Sequence, residues 1–365
     1  MLRHSRMEAL HLSPTRAPFL RPQADAFVER ILACLDEGAL ALLISIGHRT
    51  GLFDGLASVP SLTAAELAQR AGLDARYVRQ WLEAMRVGGI VDHEPGADRY
   101  SMPTEHAACL SREGGRRNLA IAAQWIAGLG SIEDSVIEYF VRGGQGELPG
   151  RAEEIAEEER RLIARSRIPR VLRRAPGLIR QLEKGIDVLD LDAGSGAMLM
   201  ELARTYPRSR FQGRDAEGVN LEQSRSEGRA RGLTNLEFVG GCVLDEELTR
   251  RFDLVFWLRT APRGADSARV FEWCYRALNR RGRLIVVDRG HPDDLRPVSG
   301  RPAGLFQHAL ACLQLLPGAC EAELDGANVL RRRESITATL ITLGFSSVDV
   351  VRTDDRFYST YLVER

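Results

Sequence analysis

A glycine turn, Gly194-Ser195-Gly196, follows the apolar run Ile186 to Leu191, and an acid, Asp215, closes the next run, Arg210 to Arg214. In an open sheet, glycines after the first strand let a ligand approach the backbone, and a carboxylate after the second accepts from ribose hydroxyls. The spacing therefore points to a ligand with a ribose, seated at one edge of a sheet. A plainer reading stands beside it: the glycines make a tight strand-to-helix turn, and Asp190 caps backbone amides. Asp288 ends a later run, Arg283 to Val287, where an acceptor group can approach a carboxylate able to hold or take a proton.

These residues need strands and helices in alternation to bring them to one edge. From Ile186 onward the chain reads strand 186–191, helix 198–206, then strands 210–214, 236–239, 252–257 and 283–288. That order predicts a parallel, doubly wound α/β sheet. The last two strands, Val348 to Arg352 and Phe357 to Val363, are separated only by Thr353 to Arg356. Four residues are too few for a helical crossover, so the sheet must end on an antiparallel hairpin. A dinucleotide fold would place a third glycine at Leu199 and would not demand that hairpin.

Ahead of the sheet the pattern is helical. Phe27, Ile31, Leu35, Leu42 and Ile46 recur at near-helical intervals within Ala24 to Ile46, which predicts a long amphipathic or buried helix. Thr63-Ala64-Ala65-Glu66 is a capping box, and Asp74 is placed to cap a second short helix whose apolar stripe is Tyr77, Val78, Trp81, Leu82 and Met85. Two short strands, 90–93 and 99–102, flank a Pro95-Gly96 turn. Helix, helix, wing is a winged helix. Arg76, Arg79 and Arg86 could meet phosphates, but Glu83 shares their helix and the module has no basic surplus, which favours a dimerisation platform over nucleic-acid binding.

With 50 basic and 50 acidic residues the chain has no net field to draw it to nucleic acid or an anionic membrane, so small neutral partners are favoured. Its six cysteines form no C-x-x-C pair or metal-spaced cluster, which fits a reducing cytoplasm. No apolar run approaches membrane-spanning length. The expected organisation is an arm over 1–23 in which Pro14, Pro18 and Pro22 break any helix, a winged-helix domain over 24–112, a helical linker over 113–184 and the α/β domain over 185–365. Within the linker, Glu153 to Arg165 alternates acid and base, as on a solvated helix face.

The segments TGLFDGLA, LTAAELAQRAGLDARYVRQWLEAM, VGGIV, YSMPTEHAACL, VLDLDAGSG, ARGLTNLEFVGG, FDLVF, RALNRRGRLIVVD and LGFSSVDV together resemble the class I S-adenosylmethionine-dependent methyltransferases that carry an N-terminal winged helix. The resemblance implies a Rossmann-like sheet, S-adenosylmethionine cradled by Asp190 and the loop Asp192, Gly194, Ser195 and Gly196, and Asp215 on the ribose. It also implies a homodimer formed through the N-terminal domain, a small-molecule O or N acceptor, and a lid over about 291–333. His308 and His291 in that lid join Asp288 as candidate catalytic groups, and no metal is implied.

The chain departs from the family pattern in several places. Asp192 stands where the first glycine of the loop is usual, Gly240-Gly241-Cys242-Val243 lacks the acid that reads adenine, and the lid has Gln307-His308-Ala309-Leu310 in place of a His and Met signature. These changes leave a second possibility, a catalytically inactive relative acting as a partner or regulatory module.

Overall fold

The computed structural model describes residues 21–114, 118–143, 151–215, 221–245, 248–259, 267–289, 304–310, 312–313, 333–351 and 357–365. Residues 1–20 and most of the proposed lid, His291 included, lie outside these.

The first helix, α1, spans Arg21–Arg49, beginning before the expected Ala24. Pro22 does not break it, because in the first turn the missing N–H has no intrahelical partner to lose. Its 29 residues include a window of mean hydropathy 1.6, long and apolar enough to cross a membrane by length and composition alone, which corrects the expectation that no apolar run approaches that length. The helices α2 (Leu52–Ala57), α3 (Ala64–Ala71) and α4 (Ala75–Val87) follow, then strands β1 (Asp92–Glu94) and β2 (Arg99–Ser101), which pair antiparallel as the wing, and α5 (Thr104–Leu110). Both expected caps are present: Thr63 and Glu66 form the reciprocal box, and the Asp74 carboxylate accepts from the Arg76 N–H at 2.8 Å. Leu67, Val78, Trp81, Leu82 and Met85 form this domain's core with Phe53 and Tyr100. Tyr77 is 77% exposed and belongs to the solvent side, a correction to the predicted stripe.

The connecting region is helical: α6 (Ala120–Gly130), α7 (Glu133–Arg142), α8 (Ala152–Ser166), α9 (Ile168–Arg174) and α10 (Leu178–Lys184). It ties the two domains together, since α1 packs on α6, α6 on α8, and α8 on the first helix of the α/β domain.

That domain is built on β3 (Asp187–Asp190), α11 (Ala197–Thr205), β4 (Arg210–Asp215), α12 (Leu221–Ala230), β5 (Leu236–Gly240), β6 (Phe252–Arg259), α13 (Ser267–Ala277), β7 (Leu278–Asp288), α14 (Gly304–Leu310), the helix Arg333–Thr342, β8 (Ser347–Val351) and β9 (Ser359–Glu364). The strand order β5-β4-β3-β6-β7-β9-β8 is parallel except at β9, which pairs antiparallel with both β7 and β8, so the terminal hairpin is as expected. Alternate residues feed two cores. Val188, Leu254, Phe256 and Ile285 face α9, α10 and α11, while Leu189, Val255, Trp257 and Val286 face α13 and the helix Arg333–Thr342.

Candidate functional site

The reversal of strand order at β3 leaves a crevice at the C-terminal edge, between β3, β4 and β6, where an open sheet takes its ligand. The loop from β3 to α11 lines it. Leu191 N–H donates to the Phe256 carbonyl and Ala193 N–H to the Arg214 carbonyl, so both neighbouring strands clamp the loop. Gly194 and Gly196 adopt φ of +53° and +71°, which side chains other than glycine take at a cost. At Gly196 a further reason applies: a Cβ would overlap the Phe238 ring, so this glycine is fixed by packing.

Asp190 and Asp192 both lie in this crevice and both are buried. The Asp190 carboxyl accepts from the Asp192 N–H at 3.2 Å, as the capping reading expects. Burial, reinforced by the Asp192 carboxylate, pushes its pKa up to about 7. Asp192 does not face open solvent. Its Oδ2 accepts from Nη2 of Arg160 on α8 at 3.1 Å, and Arg160 Nη1 donates at 2.5 Å to Glu157, one turn earlier. Glu157 in turn accepts from the Ser195 hydroxyl and, at 3.3 Å, from the Ser195 N–H. The guanidinium is therefore set between two carboxylates. Burial opposes its charge, but Asp192 and Glu157 more than compensate and hold Arg160 above its ordinary pKa.

Arg160 and Glu157 were missed by the sequence reading, which placed 153–165 on a solvated face. That expectation is corrected: Ile155, Ala156, Glu159, Arg160 and Ile163 are buried, a helical stripe in which two charged residues share the face of three apolar ones. The apolar members at 155, 156 and 163 were the available signal.

Three successive glutamates on α8 point three ways, as residues about 100° apart on a helix must. Glu157 reaches the loop. Glu158 reaches the winged-helix domain, accepting from Gln124 at 2.5 Å and sitting 2.6 Å from Nε2 of the buried His48 at the end of α1. Burial works to raise the Glu158 pKa, but the hydrogen bonds with His48 and Gln124 prevail and lower it. Glu159 reaches the far side of the crevice, where it pairs with Arg289 and accepts from the Tyr358 hydroxyl at 2.6 Å. Burial raises its pKa against the pull of Arg289. The Arg289 guanidinium also lies 5.2 Å from the Trp125 ring centroid and 4.8 Å from that of Tyr358. A cleft lined by Asn118, Ile121, Leu162, Arg167, Phe357 and Tyr358 opens onto Glu159.

The remaining candidates are more scattered. Asp215 ends β4, paired in register with Gly240 of β5, so its backbone is at the crevice edge as expected. Asp288 is buried at the end of β7, two strands from β3, opposite Ser359 of β9. His308 is exposed on α14 while its neighbour Gln307 is buried. Among the described residues no cluster of ligands could hold a metal ion.

Two family models match the chain: the Rv2258c-like winged HTH domain over residues 38–112 and the methyltransferase domain over residues 182–307. No curated protein sequence matches it. Among solved structures, human N-acetylserotonin methyltransferase in complex with SAM is similar with a TM-score of 0.64 at 16% identity, over 93% of this chain and 97% of that one. An O-methyltransferase family protein from Burkholderia thailandensis gives 0.58 at 15% identity, over 93% and 98%. The mitomycin 7-O-methyltransferase gives 0.59 at 17% identity, over 94% and 99%. At such identities the likeness is one of fold, and it extends over both domains.

Proposed function

Because this chain joins a winged helix-turn-helix domain to a methyltransferase domain, we propose that it transfers the methyl group of S-adenosylmethionine to an oxygen or nitrogen of a small molecule. One observation carries the reading. The β3–α11 loop sets an anion, Asp192, beside the hydroxyl and amide donors of Ser195, which is the electrostatic complement of a free α-amino acid, and Asp215 closes the adjacent strand. We assign Asp190, Asp192, Gly194, Ser195 and Gly196 to the amino-acid end of the cofactor on the charge of this loop, and Asp215 to its ribose on its place at the end of β4. Bound S-adenosylmethionine supplies a methyl group already made electrophilic by the sulfonium.

The chain's own task is then to hold an acceptor in line and keep water away. The cleft beside Glu159 and Tyr358 is the place we assign to the acceptor. Asp288, His308 and His291 remain our candidates for taking its proton, on their place in the sequence rather than on a contact with this cleft. Arg76, Arg79 and Arg86 are engaged by Asp74, Asp98 and Glu83, which supports a winged helix used for dimerisation rather than for phosphates. We place the enzyme in the cytoplasm as a homodimer.

The second reading, an inactive relative serving as a partner or regulatory module, is favoured by the same loop, since side chains of α8 now take its donors and its anion. Incubating the chain with methyl-labelled S-adenosylmethionine and a panel of hydroxylated and amino aromatic acceptors tests the first reading. Transfer of label to any acceptor supports it, and failure across the panel despite cofactor binding favours the second.

A further inference from the structure

The loop's two charge complements are both filled from within the chain. The Glu157 carboxylate takes the Ser195 hydroxyl and N–H, and the Arg160 guanidinium takes Asp192. Negative and positive groups held side by side in this way have the charge layout of an α-amino acid. Space agrees with charge: a Cβ on Gly194 would overlap both the Arg160 guanidinium and the Glu157 carboxylate, so the concavity over that glycine is filled by their tips. The filling is tethered by side chains rather than backbone. Glu157 keeps 15% of its side-chain surface accessible and is held also by the exposed Arg161 at 2.9 Å, whereas Arg160 is only 4% accessible. Of the two, Glu157 is the one with a route out. Arg160 Nε, buried and without a hydrogen-bond partner, lies in the same guanidinium, so the cation can engage a further oxygen.

We propose that Glu157 is a built-in competitor for the amino-acid end of the cofactor: its carboxylate occupies the Ser195 donors and the Arg160 charge that a cofactor carboxylate would use. The inference rests on the methyltransferase reading above. Its consequence is selective, because a nucleoside without the amino-acid tail has nothing to displace. Ligands carrying the tail must expel Glu157 towards Arg161 and solvent.

The test is a calorimetric titration of the full chain with two probes, S-adenosylhomocysteine and 5′-methylthioadenosine, which share the nucleoside and differ in the tail. Glu157→Ala should tighten S-adenosylhomocysteine by about tenfold or more while leaving 5′-methylthioadenosine within about twofold. Glu157→Gln, which keeps the shape and loses the charge, guards against a folding defect and should move the ratio the same way by at least about threefold. Glu154→Ala, an exposed acid one turn earlier, should leave both affinities unchanged. If the Glu157 variants leave the ratio of the two probes where it was, while both probes bind, Glu157 is not a competitor and the methyltransferase reading survives. Failure of both probes to bind any of the folded proteins overturns the reading and the proposal together.

Discussion

Arg160 Nη2 donates to Asp192 Oδ2 at 3.1 Å, joining the linker helix α8 to the loop that follows the first strand of the sheet. Both groups are buried, and Glu157 completes the cluster. Removing the cation leaves Asp192 and Glu157 facing each other beside Asp190. Arg160→Ala should therefore destabilise the chain by about 3 to 5 kcal/mol, the usual cost of stranding buried charge. Combining it with Asp192→Asn should recover part of that loss. Urea unfolding of the three proteins is the check, and a cost near zero for Arg160→Ala would mean that the cluster holds nothing together.

Asp190 gives a pH signature. Its pKa rises from 3.8 to about 7 on folding, first through burial and then through Asp192. The folded chain therefore binds this proton between those values while the unfolded chain has released it, and the contribution to stability falls as pH rises through that window. The difference between wild type and Asp190→Asn should change by up to about 4 kcal/mol from pH 4 to pH 7.5, with wild type losing ground as pH rises. Denaturant titrations at several pH values measure it, and a pH-independent difference would place the Asp190 proton elsewhere.

Asp215 ends β4 at the crevice edge. If it takes the ribose hydroxyls, each charged hydrogen bond contributes about 1.5 to 3 kcal/mol, so Asp215→Ala should weaken nucleoside binding by about tenfold or more. Equal affinity for 5′-methylthioadenosine in mutant and parent would remove Asp215 from the site.

The stripe that marked α1 in the sequence is outward-facing: Phe27, Ile31, Leu35, Leu42 and Ile46 are each more than 40% exposed. An apolar face of that length calls for a cover, and a second copy of the chain is the one we assign. Deleting the N-terminal module would be a poor test, because α1 packs on α6 and its loss would strip the linker. Ile31→Arg with Leu35→Arg changes only exposed positions and should convert a dimer to a monomer by light scattering. A wild-type monomer would end the idea.

Much of the architecture was legible because local rules and tertiary structure agree in it. The capping box at Thr63, the cap at Asp74, the alternation of Val188 with Leu189 and the antiparallel pairing of the final strand all follow from nearest neighbours. The candidate site was legible only in part. Gly194 and Gly196 were found from spacing and the two aspartates through the family resemblance, but the residues that face them come from α8, whose alternating charges imitate a solvated face. Glu159 and Arg160 are buried because partners far along the chain, Arg289 and Asp192, neutralise them, and no local pattern encodes such pairing.

Whether the β3–α11 loop holds the cofactor is decided by titrating the intact chain and its Asp192→Gly variant with S-adenosylmethionine and S-adenosylhomocysteine in one buffer. Wild type should show saturable one-to-one binding at the β3–α11 loop. Asp192→Gly should bind more weakly or with unchanged affinity, because that aspartate supplies the anion of the amino-acid subsite. Binding restored by Asp192→Gly to a parent that shows none would mean that the aspartate obstructs a decayed site. Absence of binding by either protein, with both folded, would contradict the methyltransferase assignment and leave the two-domain fold as a scaffold for another role.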